Sequence, residues 1–509
     1  MNTTTRWPSV DRSPTPTGWA RPANLMPADV PRSWPRGRRA TSEAEEILAT
    51  AEAWWDVDRS GYRDGDRYLR NIGTAGSALD LRLGSSGVAN SNDPKWLGPQ
   101  DTGYVYSPGI ASNYLSVPDE AALRITGDID VRARVSMDSW TSLTFQTFMG
   151  RRADFTVNYA WLFGMENASN RLHMWISSSG SARISDNYST ASPSFSPGVV
   201  KWVRATVDVD NGASGHTITY YTSDDGSTWT QLGAAIVNAG TASIYAANAK
   251  TTVGAYLDTG ASSPLSGRIY RALVLSGING TTVLDVDCDA ITSGAATTFT
   301  ATTGQTVTIN RATSGRKSVA MPSRAKGGRP CMLLGTDDYL ECLDAAQHGL
   351  LNFGQGDSFT VLAVVRMWAN PSGIFHMLVA KGVSTNTGFP GWFLFRGNGT
   401  AAMRLQLNDT ATAIGGAATQ NIVNGTNSTV VGVRNLQGRV MGVSINGAVL
   451  TTINDTTSTG FVTNNQVRVG NRSSGSDFAD MEFRAAAIFR RALTAREITV
   501  IANAAPWGV

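Results

Sequence analysis

The chain has 509 residues, a formal net charge of +3 and only 16% charged residues, so its total charge indicates neither a nucleic acid nor an acidic membrane as partner. No apolar run of about 18 residues occurs, which argues against a transmembrane helix and membrane insertion, and the first ten residues lack the apolar core of a signal peptide. We therefore expect synthesis in a cytoplasm without export by that route. The length predicts two or three domains, each with a sizeable core.

Residues 1–40 are rich in proline and arginine, and their seven prolines exclude a helix or an interior strand. A disordered tail and an extended arm that lies along another subunit are both compatible with this composition. Three tryptophans favour the arm, because a solvated tail rarely carries them whereas protein interfaces are enriched in them. The residues expected to dock this arm are Trp7, Trp19, Trp34, Arg36, Arg38 and Arg39.

A short helix is predicted after the arm, because Ser42 and Glu45 have capping-box spacing and an apolar stripe follows them. The chain then reaches the triplet DVD at residues 56–58, and the same triplet returns 229 residues later, at 285–287. Both triplets are followed by short stretches with glycine turns, which predict small hairpins. We interpret residues 41–99 and 284–324 as two related β linkers, each ahead of a main domain.

The main domains share a repeated strand. In Ile129–Met137 every second residue is apolar, and the same alternation returns 230 residues later in Phe359–Met367. This period of two predicts a β-strand with one face in a core. We expect two copies of one domain, at residues 100–283 and 325–509.

The opposite faces of these two strands differ. In the first copy this face is charged and is expected to meet water, whereas in the second it is apolar and is expected to be covered by another sheet or a neighbouring chain. The residues concerned are Asp130, Arg132 and Arg134 in the first copy, and Leu362 and Val364 in the second.

Two local motifs, a hairpin turn and a helix start, occur in the main domains. The stretch TSDDGSTW at 222–229 predicts a hairpin of the Asp-box type, in which Asp224 caps the turn amides and Trp229 packs beneath. Near the end of the chain, Thr494 and Glu497 repeat the capping-box spacing and predict a closing helix.

The closing sequence ADMEFRAAAIFRRALTAREITVIAN and the turn YYTSDDGSTWTQLG resemble those of laminin-G-like, concanavalin-A-like jelly rolls. The resemblance covers both main domains. It implies an all-β fold with two such β-sandwiches in tandem, an extended N-terminal arm and short helices. This fold hosts lectins, adhesion modules, hydrolases and virion parts, so it does not define the function.

The stretches LRNIGTAGSALDLRLGSS and FTATTGQTVTINRA resemble linkers in minor tail proteins of phages that infect actinobacteria. This resemblance implies a structural virion protein, in the tail rather than the head, that exposes its jelly rolls for host-surface contact. It also implies docking on other virion proteins through the arm, contact with host cell-wall glycan and a homo-oligomer in the particle. A capsid decoration or head fibre protein and a lectin-like adhesin are the alternatives.

An enzyme is not expected. Glucanases on this fold need carboxylates on alternate positions of one strand, and the pattern Glu-x-Asp-x-Glu is absent. The chain has four histidines and no G-x-S-x-G elbow for a serine nucleophile. No cofactor is expected, and the three cysteines, an odd number without metal-type spacing, are expected to be free buried thiols.

Sugar binding would need exposed aromatic rings, and Trp161, Trp175 and Trp392 lie on strands that could supply them. Trp161 and Trp392 hold equivalent places in the two copies, which fits a shared core residue at least as well.

Calcium stays open, because laminin-G-like domains often hold one ion with oxygen ligands. The candidate ligands are Asp56 and Asp58, or Asp285 and Asp287. Solvated or turn-capping carboxylates are the alternative for both pairs.

Overall fold

A computed structural model describes residues 42–504, apart from residues 64, 87, 89–92, 100, 154–156, 168, 259, 312–321, 327, 336, 343–348, 369–374 and 475–476. The predicted arm, with its tryptophans and arginines, lies outside the described residues. The chain from Ser42 onward forms one compact unit. No helix in the described ranges is long and apolar enough to cross a membrane.

The regular secondary structure of the described chain is mostly β-strand, as predicted. It opens with helix α1 (Glu43–Leu48) and the strands β1 (Ala53–Asp56), β2 (Tyr68–Leu69), β3 (Leu81–Leu83) and β4 (Lys95–Leu97). There follow β5 (Tyr104–Pro108), β6 (Tyr114–Val117), β7 (Ile129–Met137), β8 (Gln146–Arg152), β9 (Tyr159–Met165), β10 (Leu172–Ser177), β11 (Arg183–Tyr188), β12 (Lys201–Asp208), β13 (Gly215–Ser223), β14 (Thr230–Gln231), β15 (Ile236–Ala239), β16 (Thr251–Val253), β17 (Tyr256–Leu257), β18 (Ala261–Ser262) and β19 (Ser266–Ser276).

The second half repeats this order. It contains β20 (Thr281–Asp287), β21 (Thr298–Thr300), β22 (Thr306–Asn310), β23 (Ser323–Arg324), β24 (Cys331–Leu334), β25 (Leu340–Cys342), β26 (Phe359–Met367), β27 (His376–Lys381), β28 (Gly391–Arg396), β29 (Ala402–Asn408), β30 (Ala413–Asn421), β31 (Asn427–Asn435), β32 (Val440–Ile445), β33 (Thr451–Asn454), β34 (Val467–Val469), β35 (Met481–Phe489) and α2 (Ala495–Asn503).

These strands form two β-sandwiches. In the first, the sheet β11-β10-β9-β8-β16-β6-β22-β21 faces the sheet β14-β13-β12-β7-β19-β5-β23, with β15 and β20 paired at its sides. In the second, β33-β32-β31-β26-β35-β24-β4, with β1 paired to β35, faces β2-β3-β25-β34-β27-β28-β29-β30. The alternating apolar residues of β7 and β26 are buried between the sheets of their own sandwich, which confirms the predicted period-two strands.

The two predicted linkers do not stand apart from the sandwiches, which corrects the expected boundaries 41–99 and 284–324. Segment 284–324 completes the sandwich before it: Val286 of β20 pairs with Ala272 of β19, and Ile309 of β22 pairs with Leu115 of β6. Both pairings are antiparallel and fill open edges of the first sandwich.

Segment 43–97 instead completes the second sandwich, far along the chain. Trp55 of β1 pairs with Ala486 of β35, and Leu81 of β3 pairs with Cys342 of β25. Trp55 and Leu81 are fully buried there. The two repeats therefore exchange these strands with each other, and the first main domain is an insertion within the second sandwich.

A second pair of strands is exchanged at the junction. Leu97 of β4 pairs with Cys331 of β24, whereas Arg324 of β23 pairs with Tyr104 of β5. An apolar cluster that includes Leu97, Tyr104 and Cys331 is buried at this contact. The exchange binds the two sandwiches into one unit.

A buried carboxylate strengthens the junction. Glu482 of β35 is fully buried and pairs with Arg366 at 3.0 Å and with Arg324, from the first sandwich, at 3.4 Å. The indole Nε1 of Trp368 also donates to it, at 3.0 Å. Burial opposes the charge of Glu482, but the two guanidinium groups hold its pKa below the usual value.

The outer faces of β7 and β26 differ from expectation in one respect each. Asp130 does not meet water: it is fully buried, because Arg132 and Arg204 each pair with it at 2.7 Å. Leu362 and Val364 are covered, as predicted, but the cover is the helices α1 and α2 and neither another sheet nor a neighbouring chain.

The capping box of Thr494 and Glu497 at the start of α2 is confirmed.

Candidate functional site

Trp161, Trp175 and Trp392 are the predicted sugar-binding residues. Trp161 and Trp392 lie inside the cores of the first and second sandwich, with 1% and 0% of their surface exposed. The Nε1 of Trp392 donates to the backbone carbonyl of Leu351 at 3.3 Å. Of the two alternatives for this pair, the structure therefore supports a shared core residue, because neither ring offers a face to a sugar.

Trp175 lies on the outer side of its sheet, but it is also closed. The Arg183 guanidinium sits 3.5 Å from the ring centroid, and Phe145 stacks on the indole with centroids 5.5 Å apart. Only 8% of Trp175 is exposed. A pyranose would therefore have to displace a neighbour before it could stack on this ring.

The groups around Trp175 are paired with one another. A ring nitrogen of His173 pairs with Asp186, which also accepts from Arg183 at 2.6 Å, and Tyr188 packs against the imidazole with centroids 4.0 Å apart. Burial lowers the pKa of His173, although Asp186 opposes this. Because the side chains of this cluster are paired with one another, the cluster is a closed surface and not an open site.

An open cleft lies at the end of the first sandwich where β12, β13 and β14 meet. Its volume is about 480 Å³, within the roughly 300–1,000 Å³ range of small-molecule pockets. We call it the Lys201 cleft; its lining residues are Phe195, Lys201, Thr222, Ser223, Asp224, Asp225, Thr228 and Thr230.

The Asp-Gly hairpin between β13 and β14 forms one wall of the Lys201 cleft, with one correction to the prediction. Asp225, not Asp224, caps the turn: its carboxylate accepts the amides of Ser227 at 2.8 Å and Thr228 at 2.7 Å. These bonds hold the pKa of Asp225 well below its usual range. Asp224 is largely exposed and pairs with Lys201.

The other wall of the Lys201 cleft is aromatic. Phe195 is half-buried and packs edge-on against Trp140, with ring centroids 5.0 Å apart. The Lys201 ammonium lies 5.0 Å from the Phe195 centroid. The cleft thus combines an apolar ring, a positioned ion pair and several hydroxyl groups.

The predicted calcium ligands make other contacts. Asp56 accepts the amides of Asp58 and Arg59 at 3.0 and 3.1 Å, and burial raises its pKa to about 6. Asp285 is held by Arg271 through two hydrogen bonds of 2.6–2.7 Å.

The other two candidate aspartates also face arginines. Asp58 lies 3.8 Å from Arg329 and Asp287 lies 3.5 Å from Arg271. Among the described residues, no group of three or more His, Cys, Asp or Glu side chains converges as a metal site would require. Calcium at these aspartates stays a prediction.

The three cysteines follow the prediction made for them. Cys288, Cys331 and Cys342 are buried thiols that are not joined in disulfide bonds. Burial raises the pKa of the Cys288 and Cys331 thiols, so neither is poised to act as a thiolate nucleophile.

One Ser–His pair resembles a nucleophile and its base but is not accessible. The hydroxyl of Ser185 pairs with Nε2 of His216, whose Nδ1 lies 2.7 Å from the carbonyl of Gly240. Both side chains are 4% exposed, so a substrate cannot reach the serine oxygen.

Sequence reasoning found the hairpin but missed Phe195 and Lys201. The Asp-Gly turn is a local signal, whereas Phe195 precedes β12 and reaches the hairpin only because β12 and β13 are paired. Pro197-Gly198 predicts a loop after Phe195, but it does not predict which residues this loop contacts.

One family model matches part of the second sandwich. Residues 334–499 match the family described as the Concanavalin A-like lectin/glucanases superfamily. The match falls within the second sandwich, which is therefore similar to laminin-G-like, concanavalin-A-like β-sandwiches. No curated protein sequence matches the chain.

Solved structures similar to this chain include domains LG4-5 of the mouse laminin alpha1 chain, at 12% identity and a TM-score of 0.29, over 80% of this chain and 94% of that chain. They also include the CBM40 of Ruminococcus gnavus IT-sialidase bound to alpha2,3 sialyllactose, at 12% identity, a TM-score of 0.25, and 29% and 83% coverage. A heptameric SAP-like pentraxin from Limulus polyphemus has 15% identity, a TM-score of 0.21, and 29% and 70% coverage. At these identities the similarity concerns the fold alone.

Proposed function

We propose that this chain is a structural, non-enzymatic protein of a phage virion, located in the tail, where its sandwiches contact the host surface. The main support is that the stretches resembling linkers of minor tail proteins supply strands exchanged between the two sandwiches: β3 pairs with β25, and β22 pairs with β6. Such exchange suits a particle part that must stay folded outside the cell, because neither sandwich can detach without losing strands from its sheets.

The position of α1 bears on how the unit is attached. The helix packs against α2 on the outer face of the second sandwich, with Glu43 and Arg496 paired at 2.6 Å. The described chain therefore begins on the second sandwich. In this proposal the arm that precedes α1 in the sequence binds other virion proteins, and copies of the chain assemble as a homo-oligomer in the particle.

The test is to locate the chain in purified particles. Antibodies should be raised against the folded full-length chain, because antibodies to residues 325–509 alone would meet a sandwich that lacks β1, β3 and β4. The proposal expects the chain in particles by mass spectrometry and gold label at the tail by electron microscopy. Label over the head would make it a capsid decoration protein, and absence of the chain from particles would contradict a virion role altogether.

A second function, lectin-like binding of host cell-wall glycan, is favoured by the Lys201 cleft. An aromatic ring beside an ion pair and threonine hydroxyl groups is a combination that suits a sugar, which has both apolar and hydroxyl faces. This function is compatible with a virion role. Pull-down of the full chain by host cell walls, lost in the presence of a soluble wall polysaccharide, is the expected result.

A further inference from the structure

We propose that the Lys201 cleft is a binding site for a neutral, hydroxyl-rich sugar unit. This inference rests on the proposed glycan-binding function, and it adds the site and the class of ligand. The size and shape of the cleft fit such a unit. Its volume of about 480 Å³ lies within the roughly 300–1,000 Å³ range of small-molecule pockets, and the cleft is bounded by a rigid turn on one side and a packed ring on the other.

Phe195 provides the apolar surface. Its ring is fixed edge-on by Trp140, which is 3% exposed and part of the core of the first sandwich. The ring is thus positioned before a ligand arrives, and the C–H face of a pyranose would lose little entropy by packing on it. Phe195 is the aromatic residue that lines this cleft, so its ring is the apolar wall on which a pyranose would pack.

Polar groups are available at the opposite wall. Thr222 and Thr230 lie directly opposite each other across β13 and β14, and their hydroxyl groups make no hydrogen bond within the described parts of the chain. The Lys201 ammonium and the exposed Asp224 carboxylate form a donor–acceptor pair, and such a pair can serve two adjacent hydroxyl groups of a sugar.

The charges around the cleft select against acidic ligands. One ammonium, from Lys201, faces two carboxylates, from Asp224 and Asp225. The carboxylate of Asp225 is also committed to the turn amides and to the hydroxyl of Thr228, at 3.1 Å. A sugar carboxylate or phosphate would therefore meet net negative charge, and a neutral sugar would not.

The test measures binding of matched neutral and acidic sugars to the full-length chain by saturation-transfer NMR. The probes are methyl glycosides of glucose and galactose, each with its uronic acid, together with mannose, rhamnose and N-acetylglucosamine. We expect at least one neutral sugar to bind, and to bind about tenfold more tightly than its acidic counterpart where the pair exists. Preference for the uronic acids would overturn the assignment of the ligand class.

Variants locate the site. Lys201→Ala and Phe195→Ala should each reduce affinity about tenfold or more, whereas Lys250→Ala, at an exposed lysine outside the cleft, should not. Because Phe195→Ala could disturb packing on Trp140, the double variant Thr222→Val/Thr230→Val serves as a second probe that keeps side-chain shape. Its control is Thr219→Val, on the same strand but outside the cleft lining.

Different outcomes separate a failure of the cleft assignment from a failure of the proposed glycan binding. Binding that survives every cleft variant and is lost in Arg183→Ala would place the site at the Trp175 cluster and overturn this proposal, while glycan binding would stand. If no sugar in the panel binds and host cell walls do not retain the chain, both fail. If cell walls retain the chain equally well with and without the cleft variants, only the cleft assignment fails.

Discussion

Leu97 and Cys331 are paired across β4 and β24, although almost half of the chain lies between them. The chain thus leaves the second sandwich and returns to it on adjacent strands, with the whole first sandwich inserted between them. Because β23 makes the reciprocal pairing with β5, the two sandwiches are linked by strands and not by a flexible connection. The stability of the unit therefore depends on strands that are contributed across the junction.

The exchanged strand β3 should be essential to the second sandwich. Leu81→Ala removes a fully buried side chain and should lower the free energy of unfolding by about 2–5 kcal/mol. Leu143→Ala, at a side chain that is 92% exposed, is the matched control and should change stability by less than about 0.5 kcal/mol. Chemical denaturation of the full chain measures both. Equal stability of the two variants would contradict the strand pairing.

Glu482→Gln should destabilise the junction between the sandwiches. The substitution leaves the guanidinium groups of Arg324 and Arg366 buried without their carboxylate, at a cost of about 3–5 kcal/mol. Calorimetry should show a lower melting temperature, with an effect much larger than that of Glu120→Gln at an exposed position. Because the folded pKa of Glu482 is depressed, its contribution is present above its ordinary pKa and is lost in acid, so the two proteins should converge at low pH.

Asp338 should make stability depend on pH in the opposite direction. Burial raises its pKa to about 7, so the folded chain binds its proton more tightly than the unfolded chain does. The associated stability is full below the ordinary carboxyl pKa and is lost as the pH rises through about 7. Asp338→Asn can keep the acceptor for the amide of Gly335, and it should melt higher than the parent at pH 8 but not at pH 4. The control Asp101→Asn, at an exposed residue, should show no such pH-dependent difference.

The hairpin beside the Lys201 cleft should depend on Asp225 and not on Asp224. In Asp225→Ala, the amides of Ser227 and Thr228 lose their acceptor, so their hydrogen exchange should become faster. Asp224→Ala leaves these two bonds in place and should leave the exchange rates unchanged. The reverse result would restore the assignment made from the Asp-box pattern.

The closing helix offers a local test. Thr494→Ala removes the side chain that accepts the amide of Glu497 at the first turn of α2, and should lower the free energy of unfolding by about 0.5–2 kcal/mol. The matched control is Thr499→Ala, the same substitution at an exposed position inside α2, where alanine has the higher helix propensity and should not destabilise the chain. Chemical denaturation gives the comparison, and a loss of stability as large in Thr499→Ala would contradict a capping role for Thr494.

The local features of this protein could be read from its sequence. The alternation in Ile129–Met137 and Phe359–Met367 predicted two core strands, since side chains on a strand point to opposite faces in turn. The spacing of Thr494 and Glu497 predicted the start of α2, because a capping box needs only residues within one turn. Each of these signals depends on contacts between near neighbours.

The exchange of strands was decided by the tertiary structure. The two repeats carry similar segments and similar sandwich edges, so the triplets at 56–58 and 285–287 do not say which sandwich each segment joins. Only the long-range pairings, such as Trp55 with Ala486, make that choice. The same holds for Asp130. Its charge predicted exposure to water, but Arg204 of the neighbouring strand β12 pairs with it and it is buried.

The candidate site divides in the same way. The sequence by itself determined the hairpin of the Lys201 cleft, because Asp-Gly dictates a turn through local backbone geometry. It did not determine that Phe195 would face this turn, or that Trp161 and Trp392 would point into the cores. Those outcomes depend on which strands lie side by side and which face of each sheet is covered, and many distant residues set these together.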